Sequence, residues 1–268
     1  MLNQWFANPI LLGIAQAIVV IVLALGVIEL SRRRHIHIER DALTALARGI
    51  IQVVLVGAVL VLAFRGPYWT AFLILSGMIL VAATIAARRA RGMPGALQAA
   101  LGGIGLGAGF VIISMTWIGA IDAAMTTLIP VGSMLITSAM NASALAMDRF
   151  RGEVEAHAAQ VEAALALGAE THKTVEPHSQ AAMKASLIPR IDLLRSLGIV
   201  WIPGLMAGMI LSGVNPIYAA LYQFVVITMS FATAGLTSLI SVLLIRTYAF
   251  SPAEQLLLRR NIYIETSD

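Results

Sequence analysis

Met134, Ser138 and Asn141 recur at i, i+4 and i+7 inside an apolar run, so on a helix they form one stripe of soft and polar donor atoms. Thioether sulfur suits soft metal ions and hydroxyl or amide oxygen suits hard ones, and single donors of either kind hold an ion weakly. Weak holding is what a transit route needs, because a tight site retains its cargo. The same stripe also serves a structural end, since Ser138 and Asn141 can hydrogen-bond to neighbouring helices. Met206 and Met209 extend such a path or fill gaps between packed side chains. Arg48 and Gln52, four apart on one helix face, belong to the path or act as an interfacial anchor with an interhelical hydrogen bond.

Other chemistry is excluded. Lys occurs only at Lys173 and Lys184, and neither follows Gly, so no phosphate-cradling Gly-Lys-Ser/Thr loop exists. Cysteine is absent, which removes disulfides and thiolate metal sites. There is no His-Glu-x-x-His and no Gly-x-Ser-x-Gly, and no base–nucleophile pair can be assembled, so the chain is expected not to be an enzyme. His35 and His37, two apart, point to different sides of a helix and read as solvated loop residues. The charges Glu29, Arg48 and Asp122 lie near the ends of apolar runs, where snorkelling suffices, so a relay of membrane-buried carboxylates is not expected.

The elements that position these residues follow from composition. The chain is 59% hydrophobic and 12% charged, with a mean hydropathy of +0.87. Soluble domains carry about 25% charged residues, so too little polar surface exists here to coat a water-soluble globule. Crossing about 30 Å of hydrocarbon takes roughly 20 apolar residues. Seven segments qualify: 10–30, 49–64, 68–87, 99–118, 128–147, 198–213 and 217–245. The second and sixth are short, and six spans result if one of them is re-entrant. Seventeen of the 18 Lys and Arg residues then fall on one side, leaving Arg65 opposite. Basic loops stay cytoplasmic, which gives an all-α polytopic bundle with its N-terminus out and its C-terminus in. The formal net charge of +4 reports this orientation rather than a nucleic-acid partner. The first segment has its Arg cluster after the apolar run rather than before it, unlike a cleaved signal peptide. The whole of 1–268 reads as one integral-membrane domain, and the only sizeable water-exposed element is an inner loop over 148–197.

Within that loop, Val154, Ala158, Val161 and Leu165 fall at i, i+4, i+7 and i+11, the spacing of a narrow apolar helix face, with Gly168 as its C-cap. Glu153, Glu155 and Glu162 keep the remaining surface wet. The helix buries its stripe on a partner protein, on its own bundle or on lipid. A lipid-surface helix carries Lys and Arg on its polar face, and the acidic face here favours a protein.

The run Glu162-Ala163-Ala164-Leu165-Ala166-Leu167-Gly168 resembles the Glu-Ala-Ala-x-x-x-Gly coupling motif of ABC-transporter permeases. Four further stretches resemble the FetB-type permeases of metal-exporting ABC transporters, whose plant relatives are linked to aluminium tolerance. They are Arg48-Gly-Ile-Ile-Gln52, the stretch from Pro130 through Asn141 to Asp148-Arg149, Leu187-Ile-Pro-Arg-Ile-Asp192, and Pro203-Gly-Leu-Met-Ala-Gly208. The resemblance implies a permease in the cell (inner) membrane, a homodimer paired with a cytoplasmic ATP-binding subunit. That subunit holds the ATP, this chain binds no cofactor, and iron is the suggested cargo. Val154, Ala158, Val161, Glu162, Leu165 and Gly168 would form the ATPase-coupling element. The spacing departs from importers in one respect: Ile188-Pro189 lies further beyond Gly168 than the corresponding Ile-x-Leu-Pro does in them. Pro130 and Pro203 are expected hinges. The rival reading is a secondary transporter or channel that needs no ATPase.

Overall fold

The computed structural model describes residues 9–34, 39–63, 66–90, 92–251 and 255–258. His35, His37, Arg65, Arg91, Arg259 and Arg260 lie outside the described residues. The chain forms two compact units, residues 1–67 and 68–268. Among the described residues every regular element is a helix.

The first unit holds α1 (Pro9–Arg33) and α2 (Glu39–Ala63). Each has 25 residues, about 37 Å at about 1.5 Å per residue. α1 is apolar around its whole circumference and ends on Arg32 and Arg33, with Arg33 Nε 3.3 Å from Glu29 Oε1. α2 starts on Glu39 and Asp41, whose negative charge complements the exposed N–H groups of its first turn. Most side chains of both helices are exposed, and α1 is long and apolar enough to cross a membrane.

The second unit contains α3 (Trp69–Arg89), α4 (Ala96–Trp117), α5 (Met125–Ala156), α6 (Ala158–Ala166), α7 (Thr171–Ser196), α8 (Gly204–Leu211) and α9 (Pro216–Tyr248). Its core is built from small residues: Ala82, Ala83 and Ala86 on α3, Ala99, Ala100 and Ala108 on α4, Ala139 on α5 and Ala234 on α9 are buried. Lipid gives no hydrophobic drive for helices to associate, so close backbone approach and hydrogen bonding hold them instead. The Gly103/Gly107 pair shows this. A Cβ at Gly103 would overlap Ser241, and one at Gly107 would overlap the side chain and backbone of Thr237. Gly105/Gly109 and Gly204/Gly208, spaced in the same way, face open space.

The directions of these helices follow from their contacts. Ser138 Oγ donates to the Ser230 carbonyl at 2.9 Å and the Ser143 and Ser241 hydroxyls are 2.8 Å apart, so α5 and α9 run parallel. Gly103 meets Ser241 and Gly107 meets Thr237, so α4 runs the other way. Arg88, Arg89, Arg149, Arg151 and Arg246, near the C-terminal ends of α3, α5 and α9, therefore gather at one end of the unit.

Two expectations are corrected here. Within the inner stretch 148–197, the break expected over 171–177 and the helical run expected to end at Pro189 are replaced by one unbroken helix. α7 is a continuous 26-residue helix that passes through Pro177 and Pro189 and lies along α5 and α9. Its start meets the end of α5, where the His157 and His178 rings stack, while Arg190 and Leu193 stand beside Ser133–Ser138. Arg190 and Arg195 therefore do not sit at the basic end, which shortens the one-sided charge count. Hydropathy hides such a helix, because its many polar residues leave no apolar run to mark it. The sixth expected span, 198–213, is likewise not a spanning helix. α8 has eight residues, about 12 Å. It sits between turns at Gly198 (φ +77°) and Gly213 (φ +90°). By length, the sixth long helix of the order is α7.

Candidate functional site

α5 supplies the centre of the site. At 32 residues it is about 48 Å long, well beyond the hydrocarbon thickness, so it both spans and protrudes. Along its first half, Ser133, Met134, Thr137 and Ser138 open onto a cavity of about 360 Å³. α7 closes one side with Arg190 and Leu193, α9 another with Ile227 and Ser230, and Trp201 of the α7–α8 turn also lines it.

The expected stripe is only partly brought together. Met134 lines the cavity and is 38% exposed. Ser138 lies at its wall and is buried, its hydroxyl committed to Ser230 of α9, so the structural role of that residue is present in the geometry. Asn141, one turn further, is half-buried and does not line the cavity. Met206 and Met209 sit half-buried on α8 and do not line it either. Pro203 is the N-cap of α8 rather than a hinge within a span. Pro130 does stand within α5, where it removes one N–H from the helical ladder. Arg48 and Gln52 are exposed on α2 in the other unit.

Two groups here were not foreseen. Arg190, half-buried, brings a positive charge to a wall otherwise made of hydroxyls and apolar groups, and no carboxylate pairs with it among the described residues. Gln223 is 1% exposed with neither amide atom hydrogen-bonded, and it lies four residues before Ile227 and seven before Ser230, on the same face of α9. That spacing was readable from the sequence; the depth of Arg190 was not, because it depends on α7 turning back along α5.

At the other end of α5 lies the expected coupling element. The helix foreseen across Gly152–Gly168 is broken at His157 (φ −112°, ψ 20°), which caps the end of α5 and the start of α6. Gly168, at φ +86°, ends α6 as expected. Its N–H donates to Leu165 O at 2.9 Å and the Ala169 N–H to Ala164 O at 3.0 Å, the paired bonds of a left-handed glycine C-cap. The apolar stripe has a different fate from the one expected. Val154 and Val161 are 0% and 1% exposed in this chain's own core, with Ala158 and Leu165 packed against it. The stripe is buried on its own bundle, because α7 offers Val175, Ser179 and Ala182 as a ready apolar and small-residue face. What α6 turns outward is Glu162, Ala163, Ala166 and Leu167, the last 89% exposed.

Beside α6 an ion pair ties the end of α9 to the start of α7, and another forms within the end of α5. Arg246 Nη1 is 2.9 Å from Glu176 Oε2, and Arg151 Nε is 2.6 Å from Glu155 Oε1. Glu153, His157 and His178 also converge there, 21 residues apart along the chain at the histidines, which is why neither was singled out from spacing.

Residues 13–250 match the family described as "UPF0014: Uncharacterised protein family (UPF0014)". The chain is 30% identical to "UPF0014 membrane protein YjkA" of Bacillus subtilis (strain 168), across 85% of this chain and 91% of that one. It is 29% identical to "Probable iron export permease protein FetB" of Escherichia coli (strain K12), across 85% and 88%. It is also 29% identical to "Protein ALUMINUM SENSITIVE 3" of Arabidopsis thaliana, across 90% and 88%. No solved structure matches the chain.

Proposed function

Because the chain belongs to the UPF0014 family of multi-pass membrane permeases, we propose that it is the membrane subunit of an ABC transporter that exports metal ions. It works as a homodimer in the cell (inner) membrane with two copies of a cytoplasmic ATP-binding subunit. ATP binds and is hydrolysed on that partner, and this chain holds no cofactor and catalyses nothing. Iron as cargo is supported by the name of the Escherichia coli relative, a probable iron export permease.

The observation that carries this reading is the mounting of α6. It is a short helix joined through a single bent residue, His157, to α5 and packed on α7, the two helices that with α9 wall the 360 Å³ cavity. A push on the outward face of α6 is therefore delivered to the cavity walls. Glu162, Ala163, Ala166 and Leu167 form that face, with Gly168 setting where it ends. Val154, Ala158, Val161 and Leu165 act behind it, transmitting force by packing. Met134, Ser138 and Thr137 line the path, Arg190 sets its charge, and Asn141, Met206, Met209, Arg48 and Gln52 contribute when the walls move or the dimer forms. A cation passing Arg190 travels with anionic ligands that offset the guanidinium.

Copurification with the ATP-binding subunit tests the coupling face. Leu167→Asp and Glu162→Lys are expected to weaken capture of the ATPase more than tenfold while leaving yield and membrane insertion unchanged. Capture at wild-type level in both variants overturns the coupling role. Leu165→Asp serves a different purpose, since it buries a charge against the chain's own core and is expected to lower stability. Transport in vesicles of the purified chain without nucleotide would establish the rival, an ATP-independent transporter or channel.

A further inference from the structure

We propose that Glu153, His157 and His178 form a binding site for a divalent first-row metal ion, placed across the joint between α5 and α6. One ligand atom from each side chain lies within 4.8 Å of the other two. Glu153 Oε2 is 3.9 Å from Nδ1 of His157 and 3.9 Å from Nδ1 of His178. The two imidazoles stack with centroids 4.9 Å apart and 29° between their planes. Ligands on such an ion stand roughly 3.0–3.4 Å from one another, given metal–nitrogen and metal–oxygen bonds of about 2.1 Å. Side-chain rotations of roughly 1–2 Å close the difference, and all three residues are half-buried rather than fully enclosed.

The donor set is two imidazoles and one carboxylate, with the remaining coordination positions left to water. That combination suits iron(II), manganese(II), cobalt(II) and zinc(II), and not calcium or magnesium, which favour all-oxygen sites. Nδ1 of His157 is 2.9 Å from the Glu153 carbonyl oxygen; with that bond kept, the ring ligates through Nε2. A backbone carbonyl orienting a ligand histidine in this way is the usual support of a metal site.

Position gives the site its consequence. Glu153 is on the last turn of α5, His157 is the bent residue between α5 and α6, and His178 is on α7. An ion bound to all three fixes the angle at which α6 leaves α5. This second role, in which metal load on the inner side sets the stiffness of the coupling lever, rests on the proposed transport reading; the site itself does not.

Anaerobic titration of the purified full-length chain with cobalt(II), followed by its visible ligand-field absorption and by equilibrium dialysis, tests the site without the ATPase. One ion per chain is expected, with affinity reduced at least tenfold in His178→Gln and in Glu153→Gln and unchanged in His172→Gln, an exposed histidine outside the cluster. Gel filtration and thermal melting confirm that each variant is folded, and His157→Gln substitutes for either that is not. Absence of stoichiometric binding by the wild type, or equal binding by the wild type and the folded ligand variants, overturns the proposal. Because the ATPase is absent from this experiment, its failure leaves the coupling test above standing, and the reverse holds as well.

Discussion

α7 and α9 are both laid along α5, yet their outward faces could hardly differ more. α9 exposes Ile217, Leu221, Phe224, Leu239 and Leu243, whereas α7 exposes Lys173, Gln180, Lys184, Asp192 and Arg195. Their inward faces are similar: Val175, Ser179, Ala182 and Ser186 on α7 answer Ser230, Ala234, Thr237 and Ser241 on α9. Small residues let each helix approach α5, so the inward faces report packing and the outward faces report solvent. α9 is dressed for lipid. α7 is dressed for water or for protein.

The largest expected effect comes from exchanging these faces at the helix midpoints. Ala232, exposed at the middle of α9, becomes a lipid-facing charge in Ala232→Arg, at a cost of about 2.5–3.5 kcal/mol on insertion scales. Most of the membrane-inserted protein is expected to be lost. Ala181→Arg, on the face of α7 that already carries Lys184, is expected to leave yield within twofold. The two positions also separate by labelling, and a chain with no native cysteine has no background. Lys184→Cys is expected to react with a membrane-impermeant maleimide and Ala232→Cys to stay unlabelled. Equal labelling of the two would erase the contrast between the helices.

A smaller effect separates the two sides of α4. Gly107→Leu drives a side chain into Thr237 of α9 and is expected to cost about 1–3 kcal/mol, read as a lower melting temperature in detergent. Gly105→Leu, toward open space, is expected to leave the melting temperature unchanged. A matching drop in both would mean that the α4–α9 contact is not the close one described.

The contrast between α7 and α9 also marks what the sequence could disclose. α9, α3, α4 and α5 announce themselves by length and apolarity, and the Gly168 cap of α6 by its place after an alanine-rich run. Two features were illegible for physical reasons. A polar helix packed along others has no hydropathy signature, so α7 was foreseen only as a helical run to Pro189 in a water-exposed stretch and Arg190 as a surface residue. An apolar stripe says only that it is buried, not against what. Val154, Ala158, Val161 and Leu165 were read as one helix face and all pack against the core, Val154 on α5 and the others on α6 across the bend at His157. Whether such a stripe meets another protein or the parent bundle depends on a helix 20 residues away turning back to cover it. The Glu153–His157–His178 cluster is hidden by the same turn.

The smallest effect tests whether Ser138 belongs to the packing or to the path. Its hydroxyl donates to the Ser230 carbonyl in the bundle, at 2.9 Å, and Ser138→Ala removes that bond without leaving a void larger than an oxygen atom. Hydrogen bonds between membrane helices average about 0.6 kcal/mol, because the separated helices find other partners. The melting temperature should therefore fall by only a degree or two. Ser138→Thr keeps the hydroxyl and its bond but adds a methyl group at the wall of the 360 Å³ cavity. If Ser138 only holds α5 to α9, Ala is the worse substitution by melting and both transport alike. If the cavity carries the cargo, Thr melts like the wild type and transports more slowly. The order of the two variants in the two measurements separates a contact that holds the α5–α9 wall together from one that the cargo meets.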